Sequence, residues 1–167
     1  SMQSANPTRA TLKAIDRLLS YAEQYPNATT EIRPSNMQLC AQSDASYLSE
    51  HGARSRAGAV LYFGLTSDNT INGMIEYIST VIPTVCSSVA EAEYAALFLT
   101  GRAITNIRTI LEDLGYPQQT TNIICDNACA VGIANGSVKQ KRSKAIDMRY
   151  HWIRDQVNQG KLTISWA

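Results

Sequence analysis

Hydrophobic and polar positions follow two different periods along the chain, and the change between them predicts the order of the elements. Apolar side chains spaced three and four residues apart predict helices at residues 8–24, 88–114 and 145–159. Short apolar or alternating segments predict strands at residues 39–47, 57–64, 71–80, 121–125 and 161–166. A short helix is predicted between the fourth strand and Gly136. Three consecutive strands followed by crossovers predict an α/β protein with a mixed sheet and helices on its faces.

Length and charge narrow the class of protein. A chain of 167 residues can bury a core of its own, and a formal net charge of +1 gives no overall attraction to nucleic acid or to a membrane. Attraction to nucleic acid must therefore come from local clusters of charge. The sequence contains no apolar run long enough to span a bilayer and no signal peptide, so we expect no membrane partner. The four cysteines form no Cys-x-x-Cys pair and are expected to be buried, reduced thiols.

The start of the long predicted helix contains two acidic residues that face different directions. Ser88 followed by Glu91 is a capping box, in which the hydroxyl and the carboxylate each satisfy a backbone N–H. Glu93 lies about 200° further round the helix, at the head of an apolar stripe. That stripe consists of Leu97, Thr100, Ile104, Ile107 and Leu111. A carboxylate in such a position is unfavourable unless a cation or a hydrogen-bond donor meets it, so we expect Glu93 to have such a partner.

Two more acids occupy positions where a site can form. Asp44 lies in the first predicted strand and Asp126 at the carboxyl end of the fourth. If these strands are parallel neighbours, both carboxylates meet at one edge of the sheet and the helix brings Glu93 to them. Three such carboxylates repel one another, and Mg²⁺, which prefers carboxylate, water and phosphate oxygens, relieves the repulsion. Taken singly, Asp44 can be a turn residue, Asp126 an N-cap and Glu93 an acid favoured by the helix dipole.

Five spaced segments carry a family resemblance: residues 43–47, 53–58, 87–94, 125–130 and 142–151. Their residues and their order resemble the ribonuclease H domain of copia-type LTR retrotransposon polyproteins. The resemblance implies a ribonuclease H-like fold with a mixed five-stranded sheet. The first three strands would form an antiparallel meander, strands 1, 4 and 5 would be parallel, and helices would cover both faces.

The resemblance also implies a division of the chain. Residues 1–34 would be a connector helix and linker from a reverse transcriptase, and residues 35–167 a C-terminally truncated ribonuclease H-like domain. In ribonucleases H a fourth acid lies on a helix after the last strand. This chain ends at Ala167, so we expect that helix and its acid to be missing, and any activity to be weakened.

The activity implied is hydrolysis of the RNA strand of RNA/DNA hybrids during retrotransposon reverse transcription. The catalytic and metal-ligand positions of the family fall on Asp44, Glu93 and Asp126. The cofactor implied is a pair of Mg²⁺ ions, for which Mn²⁺ can substitute. The partners implied are the hybrid and the reverse transcriptase domain of the same polyprotein, inside the cell in a cytoplasmic virus-like particle or the nucleus.

Basic and small polar residues are the candidates for contacts with the hybrid. The predicted phosphate contacts come from one basic loop, Lys139, Lys141, Arg142 and Lys144, with Arg54 and Arg56 as alternatives. Selection of RNA needs contacts with 2′-hydroxyl groups, for which the candidates beside the acids are Ser46, Ser88 and Asn127. A solvated basic face is the alternative interpretation of the loop.

Other functions have weaker support in the sequence. A non-catalytic module that binds nucleic acid or supports a polymerase is the second hypothesis, but such a module has no need of a repulsive carboxylate cluster. An integrase-like or resolvase-like nuclease places its glutamate late in the chain, whereas Glu93 comes second of the three acids. Serine hydrolysis is disfavoured because the serines and His51 lack the spacing of a triad.

Overall fold

The structure of the chain, a computed structural model, describes residues 6–64, 71–137 and 144–167. The chain forms two units, Ser1–Glu31 and Ile32–Ala167. The first unit contains helix α1 (Arg9–Gln24), which begins at the N-cap Thr8. A capping box forms there, because Thr8 and Thr11 each accept a hydrogen bond from the other's backbone N–H.

The second unit contains the remaining elements in the predicted order. They are β1 (Leu39–Glu50), β2 (Arg54–Phe63), β3 (Glu76–Val81), α2 (Val89–Asp113), β4 (Thr121–Cys125), α3 (Ala128–Ala134), α4 (Lys144–Asn158) and β5 (Leu162–Trp166). None of the helices in the described ranges is long and apolar enough to cross a membrane. The bounds of α2 and β4 match the prediction most closely, because capping residues and turn residues mark their ends.

Two strand bounds differ from the prediction for identifiable reasons. The β1–β2 hairpin extends to the pair Glu50–Arg54, because a register shift after Ser46 lets polar residues that resemble a turn continue the ladder. Strand β3 begins five residues later than predicted. The side-chain amide of Asn72 binds the backbone carbonyls of Arg33 and Phe63, which holds the preceding segment in loop conformation.

The five strands form one mixed sheet in the order β3-β2-β1-β4-β5. The β1–β2 and β2–β3 pairs are antiparallel, and the β1–β4 and β4–β5 pairs are parallel. The predicted meander and the predicted parallel arrangement of the first, fourth and fifth strands are therefore confirmed. The register places the carboxyl end of β4 beside the middle of β1, where Cys125 pairs with Ser43.

Helix α2 packs along the sheet with the stripe predicted from the sequence. Leu97, Thr100, Ile104 and Leu111 are buried, and α2 contacts α3 and α4 on the same side of the sheet. Gly101 permits the close approach of α4, because a Cβ atom there would lie 3.0 Å from the Trp152 ring. The opposite face of the sheet lines a cavity of about 500 Å³.

Because Leu97 is 0% exposed and lies in the main core, we expect Leu97→Ala to lower the free energy of unfolding by about 2–5 kcal/mol. Leu114→Ala is the matched control, since Leu114 is 67% exposed at the end of the same helix and should change stability by less than about 1 kcal/mol. Urea unfolding followed by circular dichroism measures both. Equal losses in the two variants would contradict this packing of α2.

Candidate metal centre

Asp44 and Asp126 lie next to each other across two parallel strands. Ser43 of β1 pairs with Cys125, the last residue of β4; Asp44 follows Ser43 within β1, and Asp126 directly follows the end of β4. Both aspartates are exposed, and both line the cavity on the sheet face opposite α2. The structure therefore places these two sequence-predicted carboxylates together at one edge of the sheet.

Glu93 reaches the same edge from the helix side. It lies in the second turn of α2 and is only 3% exposed. The backbone N–H of Ala45, the residue after Asp44, donates a hydrogen bond to its carboxylate. The carboxylate oxygen Oε2 is buried and has no hydrogen-bond partner among the described residues. A buried, unpartnered carboxylate oxygen requires a cation or a proton.

The pKa of the Glu93 carboxyl is raised from 4.5 to about 7, chiefly because the carboxyl is buried and also because the negative charges of Asp44 and Asp126 lie nearby. The hydrogen bond from Ala45 opposes this change but does not cancel it. At neutral pH the metal-free protein therefore holds Glu93 close to its titration midpoint. A divalent cation between these carboxylates would favour the ionised form instead.

Glu91, two residues earlier, is occupied by the helix start. Its carboxylate Oε2 accepts hydrogen bonds from the backbone N–H and the hydroxyl of Ser87, at 2.7 and 2.6 Å. Ser88 is the N-cap, and its hydroxyl accepts the Glu91 N–H at 3.2 Å. The prediction that Glu91 caps the helix and Glu93 does not agrees with this geometry, although the carboxylate caps one residue earlier than a standard capping box.

Asp126 is likewise free of the capping role considered for it. The N-cap of α3 is Asn127, whose Oδ1 accepts the Ala130 N–H at 3.0 Å. Asp126 contributes its backbone carbonyl to a hydrogen bond from the Trp166 indole, at 3.2 Å. Its exposed carboxylate remains directed to the edge that it shares with Asp44.

A further residue at this edge, Cys125, was not predicted from the sequence as part of the site. One ligand atom each from Glu93, Cys125 and Asp126 lie within 4.8 Å of one another. The pKa of the Cys125 thiol is raised to about 11, chiefly because the thiol is buried and to a smaller extent because of the neighbouring carboxylates. A signal was available, since Cys125 precedes Asp126 and alternation along a strand directs it to the helix side, where Glu93 lies.

The donor set fits a divalent cation. Glu93 and Asp126 have ligand atoms within 4.8 Å of each other, and Asp44 lies near enough for its charge to raise the pKa of Glu93, whose Oε2 is buried without a partner among the described residues. Carboxylate oxygens are the ligands that Mg²⁺ and Mn²⁺ prefer. Asp44 and Asp126 are exposed, so a bound ion would remain accessible to water and to a phosphate group.

The residues predicted to contact nucleic acid have varied surroundings. Arg54 donates to the carbonyl oxygen of Pro83, and Arg56 forms a 2.5 Å ion pair with Glu50. Both guanidinium groups therefore have internal partners. Two of the three predicted polar contacts, Ser88 and Asn127, are the N-caps of α2 and α3. The third, Ser46, is exposed on β1.

The basic loop lies mostly outside the described residues. This applies to Lys139, Lys141 and Arg142. Lys144 is the first residue of α4, but the structure does not describe its side chain. The loop therefore remains a prediction from the sequence.

Comparison with known proteins gives relatives that are retrovirus-related Pol polyproteins. The chain is 35% identical over 92 residues to the retrovirus-related Pol polyprotein from transposon TNT 1-94 of Nicotiana tabacum, a match that covers 55% of this chain and 7% of the relative. It is 30% identical over 161 residues to the polyprotein from transposon RE1 of Arabidopsis thaliana, covering 95% of this chain and 10% of the relative. The chain thus spans about a tenth or less of the length of these curated relatives. No family model matches it.

Solved structures give the same fold at low sequence identity. The chain superposes on LC11-RNase H1, isolated from compost by a metagenomic approach, with a TM-score of 0.55 and 15% identity, covering 78% of this chain and 84% of that chain. The same enzyme has been solved in complex with an RNA/DNA hybrid, and that structure matches with a TM-score of 0.54. At this identity the similarity establishes the fold.

Proposed function

The chain is a ribonuclease H-like domain that matches the Pol polyproteins of copia-type retrotransposons, and we propose that it hydrolyses the RNA strand of RNA/DNA hybrids during reverse transcription. The observation that carries the proposal is the buried Glu93 carboxylate, which has an unpartnered oxygen and lies against Asp44 and Asp126. A module that only binds nucleic acid gains nothing from keeping this repulsive arrangement. A nuclease that uses divalent cations requires it.

In this proposal Asp44, Glu93 and Asp126 hold Mg²⁺, with Mn²⁺ as a substitute. Two ions bound there would neutralise charge on the scissile phosphodiester and lower the pKa of the attacking water. Glu93 provides a fixed anchor, because it is buried and bound to the Ala45 N–H. Asp44 and Asp126 face the exposed side of the edge, where the substrate phosphate can approach.

The polar residues around the acids would orient the hybrid. Ser46 is exposed two positions after Asp44 on β1, so alternation along the strand places both side chains on the same face. We assign it a contact with the RNA strand, and we assign weaker contacts to Ser88 and Asn127, whose side chains also cap helices. The loop of Lys139, Lys141, Arg142 and Lys144, with Arg54 and Arg56, would bind phosphates and make affinity depend on salt.

We further propose that residues 1–34 connect this domain to a reverse transcriptase domain of the same polyprotein, and that residues 35–167 form the nuclease. The support is that both relatives are Pol polyproteins and that the RE1 match extends over 161 residues of this chain. The domain would then act in a virus-like particle or the nucleus, where reverse transcription takes place.

The test is cleavage of an RNA/DNA hybrid with end-labelled RNA, with Mg²⁺ and separately with Mn²⁺, beside the same RNA as a single strand. We expect cleavage of the hybrid only, and its loss in Asp44→Asn. Absence of cleavage with either metal, combined with hybrid binding that Asp44→Asn leaves unchanged, would support the binding module instead. Cleavage of the hybrid and the single strand at equal rates would contradict the proposed substrate.

A further inference from the structure

A thiol lies beside the carboxylates at the edge of the sheet. Cys125 is the last residue of β4 and is 1% exposed, on the face that α2 covers. One ligand atom of Cys125 and one each from Glu93 and Asp126 lie within 4.8 Å of one another. The cluster therefore differs from an all-oxygen site in one donor atom.

That donor atom matters because metal ions differ in the ligands they prefer. Mg²⁺ binds oxygen ligands and gains nothing from sulfur, whereas Zn²⁺ and Cd²⁺ bind thiolates readily together with carboxylates. In a tetrahedral site with metal–ligand bonds of about 2.0–2.3 Å, the ligand atoms are separated by roughly 3.3–3.8 Å. A side-chain adjustment of about 1 Å is thus enough to bring the three donor atoms into such a site.

A second observation points to a ligand at this place. The Glu93 carboxylate is more than nine-tenths buried, and its Oε2 has no hydrogen-bond partner among the described residues. Since the thiol of Cys125 lies within reach of the same carboxylate, a cation that accepts both oxygen and sulfur would satisfy the two buried groups at once. The exposed Asp126 would supply the third ligand, and water the fourth.

We propose that Glu93, Cys125 and Asp126 form a binding site for thiophilic divalent cations of the Zn²⁺ and Cd²⁺ class. When the ion binds, the sulfur–metal bond replaces the S–H bond of Cys125 and the proton passes to solvent. No change of oxidation state is involved. Because Glu93 and Asp126 are also the proposed Mg²⁺ ligands, the thiophilic ion and Mg²⁺ compete for them.

The test is titration of the metal-free chain with Cd²⁺ alone, followed by the ultraviolet charge-transfer absorption of the cadmium–thiolate bond. We expect saturable absorption in the wild type. Cys125→Ser should weaken Cd²⁺ binding at least about ten-fold, because it removes the soft ligand. Cys129→Ser is the matched control: Cys129 is an exposed thiol four residues further along, and its loss should leave this transition unchanged.

Glu93→Gln keeps the proposal falsifiable if Cys125→Ser does not fold, as judged by circular dichroism. It preserves all four thiols and removes one carboxylate, and it should also weaken Cd²⁺ binding at least about ten-fold. A wild-type charge-transfer signal in Cys125→Ser, or wild-type affinity for Cd²⁺ in Glu93→Gln, would overturn the proposal. So would absorption that is lost in Cys129→Ser, or absent in the wild type.

These results do not depend on nuclease activity, so failure of this proposal and failure of the proposed function are distinguishable. Competition adds a prediction that does rest on the proposed function. In the presence of Mg²⁺, Cd²⁺ should inhibit hybrid cleavage by the wild type at lower concentrations than by Cys125→Ser, each measured against its own activity without Cd²⁺. Equal inhibition of both would contradict the role of the thiol.

Discussion

Glu93→Gln is expected to reduce hybrid cleavage at least about 100-fold, whereas Glu91→Gln should cleave close to the wild-type rate. Even residues that only support metal ligands commonly contribute 10–100-fold, and a ligand carboxylate is expected to contribute at least the upper end of this range, about 100-fold. The two glutamates lie two residues apart on α2, and each substitution removes the same charge. Only Glu93 faces Asp44 and Asp126, while Glu91 is bound to Ser87.

The pair is well matched because glutamine can also serve as the capping residue three positions after Ser88. Glu91→Gln should therefore preserve the start of α2. The measurement is single-turnover cleavage of an end-labelled hybrid in Mg²⁺, with circular dichroism to show that both variants fold. Similar losses in both variants would mean that removal of charge near the helix start, rather than loss of a metal ligand, controls the rate.

The second large effect concerns stability without metal. The folded-state pKa of Glu93 is about 7, above its ordinary value of 4.5, chiefly because the carboxyl is buried. A raised pKa means that the folded state binds this proton more tightly than the unfolded state does. The resulting stabilisation is fully present below pH 4.5 and is lost as the pH rises through 7. At about 1.4 kcal/mol for each tenfold change in proton affinity, the loss amounts to roughly 3 kcal/mol.

Urea unfolding in EDTA at pH 5 and pH 8 measures this effect in the wild type and in Glu93→Gln. The wild type should lose up to roughly 3 kcal/mol more than the variant between the two pH values, because the neutral amide does not titrate. At pH 8 the catalytically impaired variant is thus expected to be the more stable protein. Added Mg²⁺ should restore stability to the wild type more than to the variant. If the free energy of unfolding changed equally with pH in the two proteins, ionisation of Glu93 would not destabilise the folded state.

Much of this site could be predicted because single elements determine it. The angle between Glu91 and Glu93 on a helix follows from the helical repeat, and the structure shows one glutamate at the cap and the other buried. The bounds of β4 follow from a short β-branched run, and they place Asp126 at its carboxyl end. The mixed character of the sheet followed from the sequence of elements. The parallel arrangement of strands 1, 4 and 5 was implied only by the family resemblance.

What could not be predicted depends on register between elements that are distant in sequence. Alternation along β4 directs Cys125 to the helix side, but its proximity to Glu93 also requires the β1–β4 register and the position of α2 above it. The ion pair of Arg56 with Glu50 requires the register shift in the β1–β2 hairpin. Periodicity within one segment determines neither of these two contacts. Arg56 was therefore predicted as a phosphate contact, and its ion pair with Glu50 was not foreseen.

Binding of Mn²⁺, followed by the electron paramagnetic resonance signal of the free ion, shows directly whether Asp44, Glu93 and Asp126 form a divalent cation site. The wild type and Glu91→Gln should each reduce the free Mn²⁺ signal in a saturable manner. Asp44→Asn and Glu93→Gln should bind at least about ten-fold more weakly. Equal binding by the wild type and Glu93→Gln, or no binding by the wild type, would mean that these carboxylates do not form a divalent cation site.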